Sequence, residues 1–372
     1  MKKLSRQDLQ DILLGCTILG TGGGGSLEKG LLLVDKAFDA GREFVLADLD
    51  EIPDDALVGT PYMCGSVSPD TPKVEAGYQD LQMLVKEPAL RAFEVMEEYL
   101  GKKFFGVIST ELGGGNTAIA FYVGAMLGKY ILDADPAGRS VPELQHSLYY
   151  INGLPIQPIT VVNKFGDVAI VKEVASDARA EALIRAMAVA SENSVGVVDH
   201  PAKVGDIRNA VIPGAISHAL EIGRVFREAK LTCKDLAAEL VKAGGGCMLF
   251  RGRVKDYKWD TVGGFTVGDV CFEGEGEYAG STYKIWYKNE HIISWKDGRI
   301  DVTVPDLICI INEESREPLT NPNYKTRLKV SVFGLPAPKE WRSKEGIEIF
   351  GPGHFGHDME YTPIEYKYRL GS

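Results

Sequence analysis

Near Ala243 the texture of the chain changes, and that change constrains the fold more than any single motif. Upstream, helix-period stretches alternate with short apolar runs. Ser5 with Asp8 predicts a capped helix running to Gly15. Leu27–Ala40, Leu81–Leu100 and the apolar Thr117–Lys129 read as further helices, the first of these stopped by Gly41. Leu57–Met63, Phe104–Thr110, Tyr130–Leu132, Pro155–Val162 and Asp167–Val171 read as strands, and Ala178–Ala190, Ala215–Ala229 and Lys234–Ala243 as helices. Such alternation predicts an α/β layer. Downstream come short β-rich runs: Leu249–Lys258, Phe265–Phe272, Tyr283–Tyr287, His291–Trp295, Ile300–Val304, Leu307–Ile311 and Leu328–Val332. Gly, Asp, Asn and Pro punctuate them at the spacing of an all-β barrel or sandwich. The expected architecture is α/β: a mixed α/β N-terminal layer domain over residues 1–165, and a C-terminal region over 166–372. In that second region, helices and strands continue to about 243, residues 244–335 are β-rich and barrel- or sandwich-like, and the tail from Pro336 packs back across the other layers.

Two glycine-rich stretches interrupt the first part, Gly20-Thr21-Gly22-Gly23-Gly24-Gly25-Ser26 and Gly113-Gly114-Gly115-Asn116. Consecutive glycines lose much backbone entropy on folding and bury nothing, so each marks a backbone shape or a close approach that other residues cannot manage. Loop amides there could converge on a negatively charged or electron-rich atom, with Ser26 capping the helix that follows. The structural alternative is a tight interdomain turn. Neither phosphate fingerprint fits: Gly25 is not followed by Lys-Ser/Thr, and the G-x-G-x-x-G letters follow a helix-like segment rather than a strand. No nucleotide is expected.

Composition narrows the function classes. The formal net charge of −11 argues against a chain that tracks nucleic acid or an anionic membrane by bulk electrostatics. The six cysteines form no C-x-x-C pair and read as reduced. No run is long enough to span a bilayer and the first residues lack a signal-peptide core, so a cytoplasmic protein is expected. Small-molecule chemistry fits these limits best.

Asp133-x-Asp135 with Arg139 and Glu143, at the end of a strand, is the densest ionisable cluster in the apolar half. In open α/β sheets ligands bind beyond the carboxyl ends of strands, where these residues and Glu111 are expected. An Asp cap with an Asp–Arg structural pair is the alternative. The two carboxylates could also hold a divalent cation, although oxygen-only sites need more ligands than these. His354, His357 and Asp358 offer a second metal candidate without a helical H-x-x-H face or a thiolate pair, and surface or loop-anchoring histidines are the alternative. Cys64, at a strand end, and Cys16 are nucleophile candidates if loop amides lower their pKa; simple burial is the alternative.

Taken together, five stretches resemble the S-methyl thiohydantoin desulfurase family. They are Leu19–Gly25, Glu111–Asn116, Leu132–Gln145, Val304-Pro305-Asp306-Leu307-Ile308 and Gly351-Pro352-Gly353-His354-Phe355-Gly356. The resemblance covers nearly the whole chain, with two family domains meeting near Val162–Val168. It departs at Pro136 and Ala137, where the family pattern often carries a glycine and a bulky residue, which implies a changed pocket and a changed substrate.

The resemblance implies a hydrolase-like enzyme acting on a hydantoin or S-substituted thiohydantoin ring, in which water adds to the carbon bearing the thioether and a thiol is expelled. Its alternative is a non-catalytic metabolite-binding partner of a hydantoinase or oxoprolinase system. Under the first reading a carboxylate takes the proton from water, Asp133 or Asp135 first and Glu111 second, while Arg139 or a bound cation offsets charge. Thr21, Gly22, Gly23, Gly24, Gly25, Cys64, Gly113, Gly114, Gly115 and Asn116 are then the substrate-contact candidates. A divalent metal is an open cofactor candidate. The expected partners are a small-molecule substrate, further copies of the chain and hydantoinase- or oxoprolinase-type proteins. The glycine stretches and the Asp133–Arg139 turn are expected to share one pocket.

Overall fold

A computed structural model describes residues 1–65 and 81–368. Eight strands build a first, mixed sheet: β1 (Lys2–Lys3), β2 (Val45–Ala47), β3 (Leu57–Gly65), β4 (Gly106–Val107), β5 (Tyr130–Leu132), β7 (Ile159–Val162), β8 (Val168–Val171) and β9 (Ser194–Lys203). Between them in sequence, β6 (Ala134–Asp135) pairs separately with β10 (Ile212–Pro213). The sheet order is β1-β2-β5-β4-β3-β9-β7-β8, parallel from β2 to β3 and antiparallel beyond. Side chains alternate across it as a period of two requires. Val107 and Ile131 enter one core, and the next residues, Ile108 and Leu132, enter another with Ala47, Val204 and Ile207.

The helices of this region are α1 (Arg6–Leu19), α2 (Leu27–Asp39), α3 (Pro88–Leu100), α4 (Asn116–Leu127), α5 (Leu148–Ile151), α6 (Asp177–Val189), α7 (Val204–Ile207), α8 (Ala215–Leu231) and α9 (Leu236–Gly244). Ser5 and Asp8 form the expected capping box at the start of α1. That helix runs through Gly15 to Leu19, because Gly15 is a contact point and not a terminator. A Cβ on Gly15 would lie 1.8 Å from the Ala219 carbonyl oxygen of α8, and one on Gly223 of α8 would lie 1.8 Å from that of Asp11. The two backbones therefore meet directly, glycine against helix on both sides.

Other boundaries also differ from expectation. The helix predicted over Leu81–Leu100 starts at Pro88, since proline fits the first helical turn and disfavours helix in the residue before it. Only Gly106–Val107 of Phe104–Thr110 is strand. The ten-residue β9 fills the sheet between β3 and β7, in a stretch whose Gly196, Asp199, His200 and Pro201 read as strand breakers. Gly196 is needed there, since a Cβ would come within 2.2 Å of the Pro88–Ala89 backbone. Residue 165 lies in the turn between β7 and β8, so this sheet takes strands from both sides of it.

The second sheet begins at Cys247, beside the expected change of texture. It comprises β11 (Cys247–Val262), β12 (Phe265–Gly274), β13 (Thr282–Lys288), β14 (Glu290–Lys296), β15 (Arg299–Thr303), β16 (Leu307–Asn312), β17 (Glu317–Pro318) and β18 (Lys329–Leu335). All its pairs are antiparallel, in the order β15-β14-β13-β12-β11-β18-β16-β17. Phe250, Phe272, Tyr283 and Ile285 centre its own core. The tail, with α10 (Lys344–Phe350) and α11 (Ile364–Lys367), packs back on both regions. Trp341 is buried and donates its indole N–H to the Ala137 carbonyl at 2.7 Å, while Asp306 accepts from Tyr361 Oη and the Ile364 amide, each at 2.8 Å. Among the described residues, no helix is long and apolar enough to cross a membrane.

Candidate functional site

A cavity of about 1450 Å³ opens where the two regions meet. The first glycine loop forms one wall, the end of β3 with Tyr62 and Cys64 another, and Glu111, Asn116, Glu143, His146, Arg185 and Glu290 are among the residues that line the rest. The glycines are there because other groups come too close for any side chain. A Cβ on Gly23 would sit 1.8 Å from Glu290 Oε1, and one on Gly24 would sit 2.4 Å from the Gly113 Cα. The two glycine stretches thus pack on each other, and Ser140 lies against Gly24 as well. The Asp133–Arg139 turn packs behind them, but none of its residues lines the cavity, so it does not share the pocket expected of it.

Their polar groups have distinct fates. Gly24 O accepts from the Gly115 and Asn116 amides at 2.9 and 3.1 Å, and Gly113 N donates to Thr117 Oγ1 at 3.1 Å. Those amides, expected to grip a ligand, are spent capping α4. Gly113 and Gly114 lie beneath the cavity wall, while Gly115 and Asn116 reach it. In the first loop, by contrast, the Gly22, Gly24 and Gly25 amides have no hydrogen-bond partner among the described residues.

The Asp133–Arg139 turn is mostly committed to holding the fold. Asp133 turns away from the cavity and accepts from the Ser217 amide at 2.9 Å and from its hydroxyl, capping the start of α8. Arg139, fully buried, is a bolt between the two regions. It donates to the carbonyls of Ser140, Pro305, Asp306 and His291 at 3.0, 2.8, 3.1 and 3.4 Å, and to Thr21 Oγ1 at 2.9 Å. Thr21 therefore also lies at the joint, its carbonyl accepting from the His291 amide at 2.8 Å. Asp135 caps its own turn, with Oδ1 accepting from the Ala137 and Gly138 amides at 2.8 and 2.7 Å. Its Oδ2 is buried without a partner among the described residues, and burial pushes the carboxyl up to about 7. It is not among the residues lining the cavity.

Glu111 does line it. This residue adopts a left-handed backbone with φ of 50°, uncommon for a side chain and therefore held by its surroundings. Its Oε2 accepts from the Val141 amide at 3.0 Å and Oε1 from the Asn116 side chain. Burial raises its pKa to about 7, against the pull of these bonds and of Arg185. Glu290 lines the same cavity, at 2 % exposure, and its Oε2 has no partner among the described residues. Burial, and next the charge of Glu111, hold Glu290 well above the usual carboxylate range. Repulsion between two buried carboxyls in a low-dielectric wall favours keeping a proton on one of them.

Arg185 is fixed beside them. It donates to Glu181 through Nε, to Gly264 O at 3.0 Å and to Pro142 O at 3.2 Å, and stacks 3.8 Å over the Phe265 ring. Farther along the wall, Asp199 accepts from Tyr62 Oη at 2.7 Å and pairs with His200 Nδ1 at 2.9 Å, leaving His200 Nε2 buried with no partner among the described residues. Cys64 reaches the cavity, but burial pushes its thiol up to about 12, opposite to what a nucleophile needs, and Cys16 moves the same way. His357 packs near Trp286 and Trp295, away from His354, whose neighbour is His146.

Sequence reasoning did not single out Glu290, Arg185, His146 or the Asp199–His200 pair. The available signal was polar: Asn289-Glu290-His291 interrupts a run of aromatic and β-branched residues, as does Asp199-His200 after Val197-Val198.

Comparison with known proteins agrees with the fold. The family model described as "S-Me-THD-like, N-terminal domain" matches residues 7–173, and "S-Me-THD-like, C-terminal domain" matches residues 175–364. No curated protein matches. A crystal structure of a protein from Chromobacterium violaceum superposes with a TM-score of 0.75 at 20% identity, over 98% of this chain and 100% of that one, a likeness of fold.

Proposed function

The chain belongs to the S-Me-THD-like family, and from that premise we propose that it hydrolyses an S-substituted thiohydantoin or related small ring, releasing a thiol and leaving a hydantoin. The observation that carries this reading is the Glu111–Glu290 pair in the cavity wall, two carboxyls held above their ordinary range. General acid–base work at neutral pH wants groups poised this way.

In the proposed step the water oxygen bonds to the ring carbon bearing the thioether, and Glu111 takes one of the water's protons. Glu290, carrying a proton, delivers it to the ring nitrogen as the C=N bond opens. The C–S bond then breaks, the new hydroxyl returns its proton to Glu290, and the departing sulfur takes the proton held by Glu111. Asn116 keeps the Glu111 carboxyl oriented, and the free amides of Gly22, Gly24 and Gly25 supply donors for an oxygen or ring carbonyl that gains charge. The test is incubation with S-methyl thiohydantoins bearing different ring substituents, read as thiol released and hydantoin formed. Thiol release is the expected result. Thermal stabilisation by these compounds without thiol release would instead indicate a metabolite-binding protein.

A further inference from the structure

We propose that Glu143, His146 and His354 form a binding site for one first-row divalent cation of the zinc class, set in the same cavity wall but separate from the Glu111–Glu290 pair. The ligand atoms of these three side chains all lie within 4.8 Å of one another. His146 Nε2 and His354 Nε2 face each other at 3.0 Å. Two imidazole nitrogens on one tetrahedral zinc, each at about 2.0–2.1 Å from the metal, stand roughly 3.3 Å apart, so little movement is needed to admit an ion.

Each side chain is aimed at the cluster by something else. The His146 ring is fully buried, with centroids of Phe350 and Phe355 at 4.9 and 5.7 Å, and its Nδ1 has no partner among the described residues. Among the described residues the ring's one polar contact is therefore His354. Glu143 is held by Lys288 on one oxygen and by Gln145 at 2.5 Å on the other. His354 arrives from a single 3-10 turn, Pro352–Phe355, in the tail.

Two imidazoles and a carboxylate are the donor set of several catalytic zinc sites, which keep a further position for water or substrate. Glu143 and His146 both border the cavity, so that position falls on its side. Lys288 competes for Glu143, since an ammonium and a divalent cation both seek the same carboxylate. The arrangement accordingly describes a site of tunable affinity.

The experiment uses the full chain, stripped with chelator and titrated with Co²⁺ in the absence of any substrate. One equivalent of cobalt should bind with the visible d–d spectrum of a four- or five-coordinate ion, and zinc should displace it. His354→Gln, at an exposed position, should weaken cobalt binding by at least the 10–100-fold that even outer-shell changes cost, with the circular dichroism spectrum unchanged. Lys288→Met should tighten it. Binding well below one equivalent, or equal affinity in His354→Gln, would overturn the proposal. Because no substrate enters the measurement, failure of the thiohydantoin reading leaves this result intact, and the reverse also holds.

Discussion

The Asp133–Arg139 turn and the Glu111–Glu290 wall carry similar charges in adjoining parts of the molecule, yet they differ in what their polar atoms have left to do. In the turn, Asp133 is filled by Ser217 and Arg139 by carbonyls from both regions. Asp135 retains one free oxygen but lies away from the cavity lining. In the wall, Glu290 keeps an oxygen with no partner among the described residues, and both it and Glu111 border the open volume. Density of charge along the chain marks where polar groups are needed, and unspent hydrogen-bonding capacity next to space marks where chemistry is available.

Several experiments would break or sharpen that contrast. The largest expected effect is on turnover: Glu111→Gln should lower thiol release by about 10²–10⁴-fold, the span of general acid–base contributions, while the protein stays folded. Arg139→Met should act on stability instead. It deprives several buried carbonyls of their donor, at about 1–3 kcal/mol for each left unsatisfied, so chemical denaturation should show a loss of at least about 3 kcal/mol. Gly15→Ala should cost about 1–3 kcal/mol by forcing α1 off α8, read as a lower thermal midpoint with unchanged thiol release per folded molecule.

The smallest effect is a pH dependence of stability. Glu111 and Asp135 are raised to about 7 in the folded protein, so between their ordinary values and 7 the native state holds more protons than the unfolded one. Their contribution to stability is complete at acid pH and is lost as pH rises through that window. Asp135→Asn and Glu111→Gln should each flatten the decline in thermal midpoint between pH 5 and pH 8. For turnover the sign is opposite on the acid side: Glu111 as base must be ionised, so rate should rise through about pH 7. Glu290, Glu181, Asp135, Arg185 and Asn116 are the charged and polar groups that set where that rise falls.

The second sheet was largely legible in the sequence, because its strands alternate cleanly and are separated by turn residues; Thr282–Lys288 and Glu290–Lys296 extend the predicted runs by a residue at each end. β9 was not, since Gly196 and Pro201 signal a break unless the neighbouring Pro88–Ala89 backbone is known to press on that glycine. The glycine loops were visible as close approaches, but what approaches them was not. Glu290 fills the space over Gly23 from the other sheet, and His354 meets His146 from the tail, pairings that depend on the packed fold and leave no spacing to read.

The central claim is that the cavity-wall carboxylates, and not the Asp133–Arg139 turn, carry the chemistry. A side-by-side assay of thiol release by Glu111→Gln and Asp135→Asn, each shown to be folded, tests it most directly. The account expects Glu111→Gln to be nearly inactive and Asp135→Asn to stay within a few-fold of the unmodified protein. Loss of activity in Asp135→Asn with turnover retained in Glu111→Gln would contradict it.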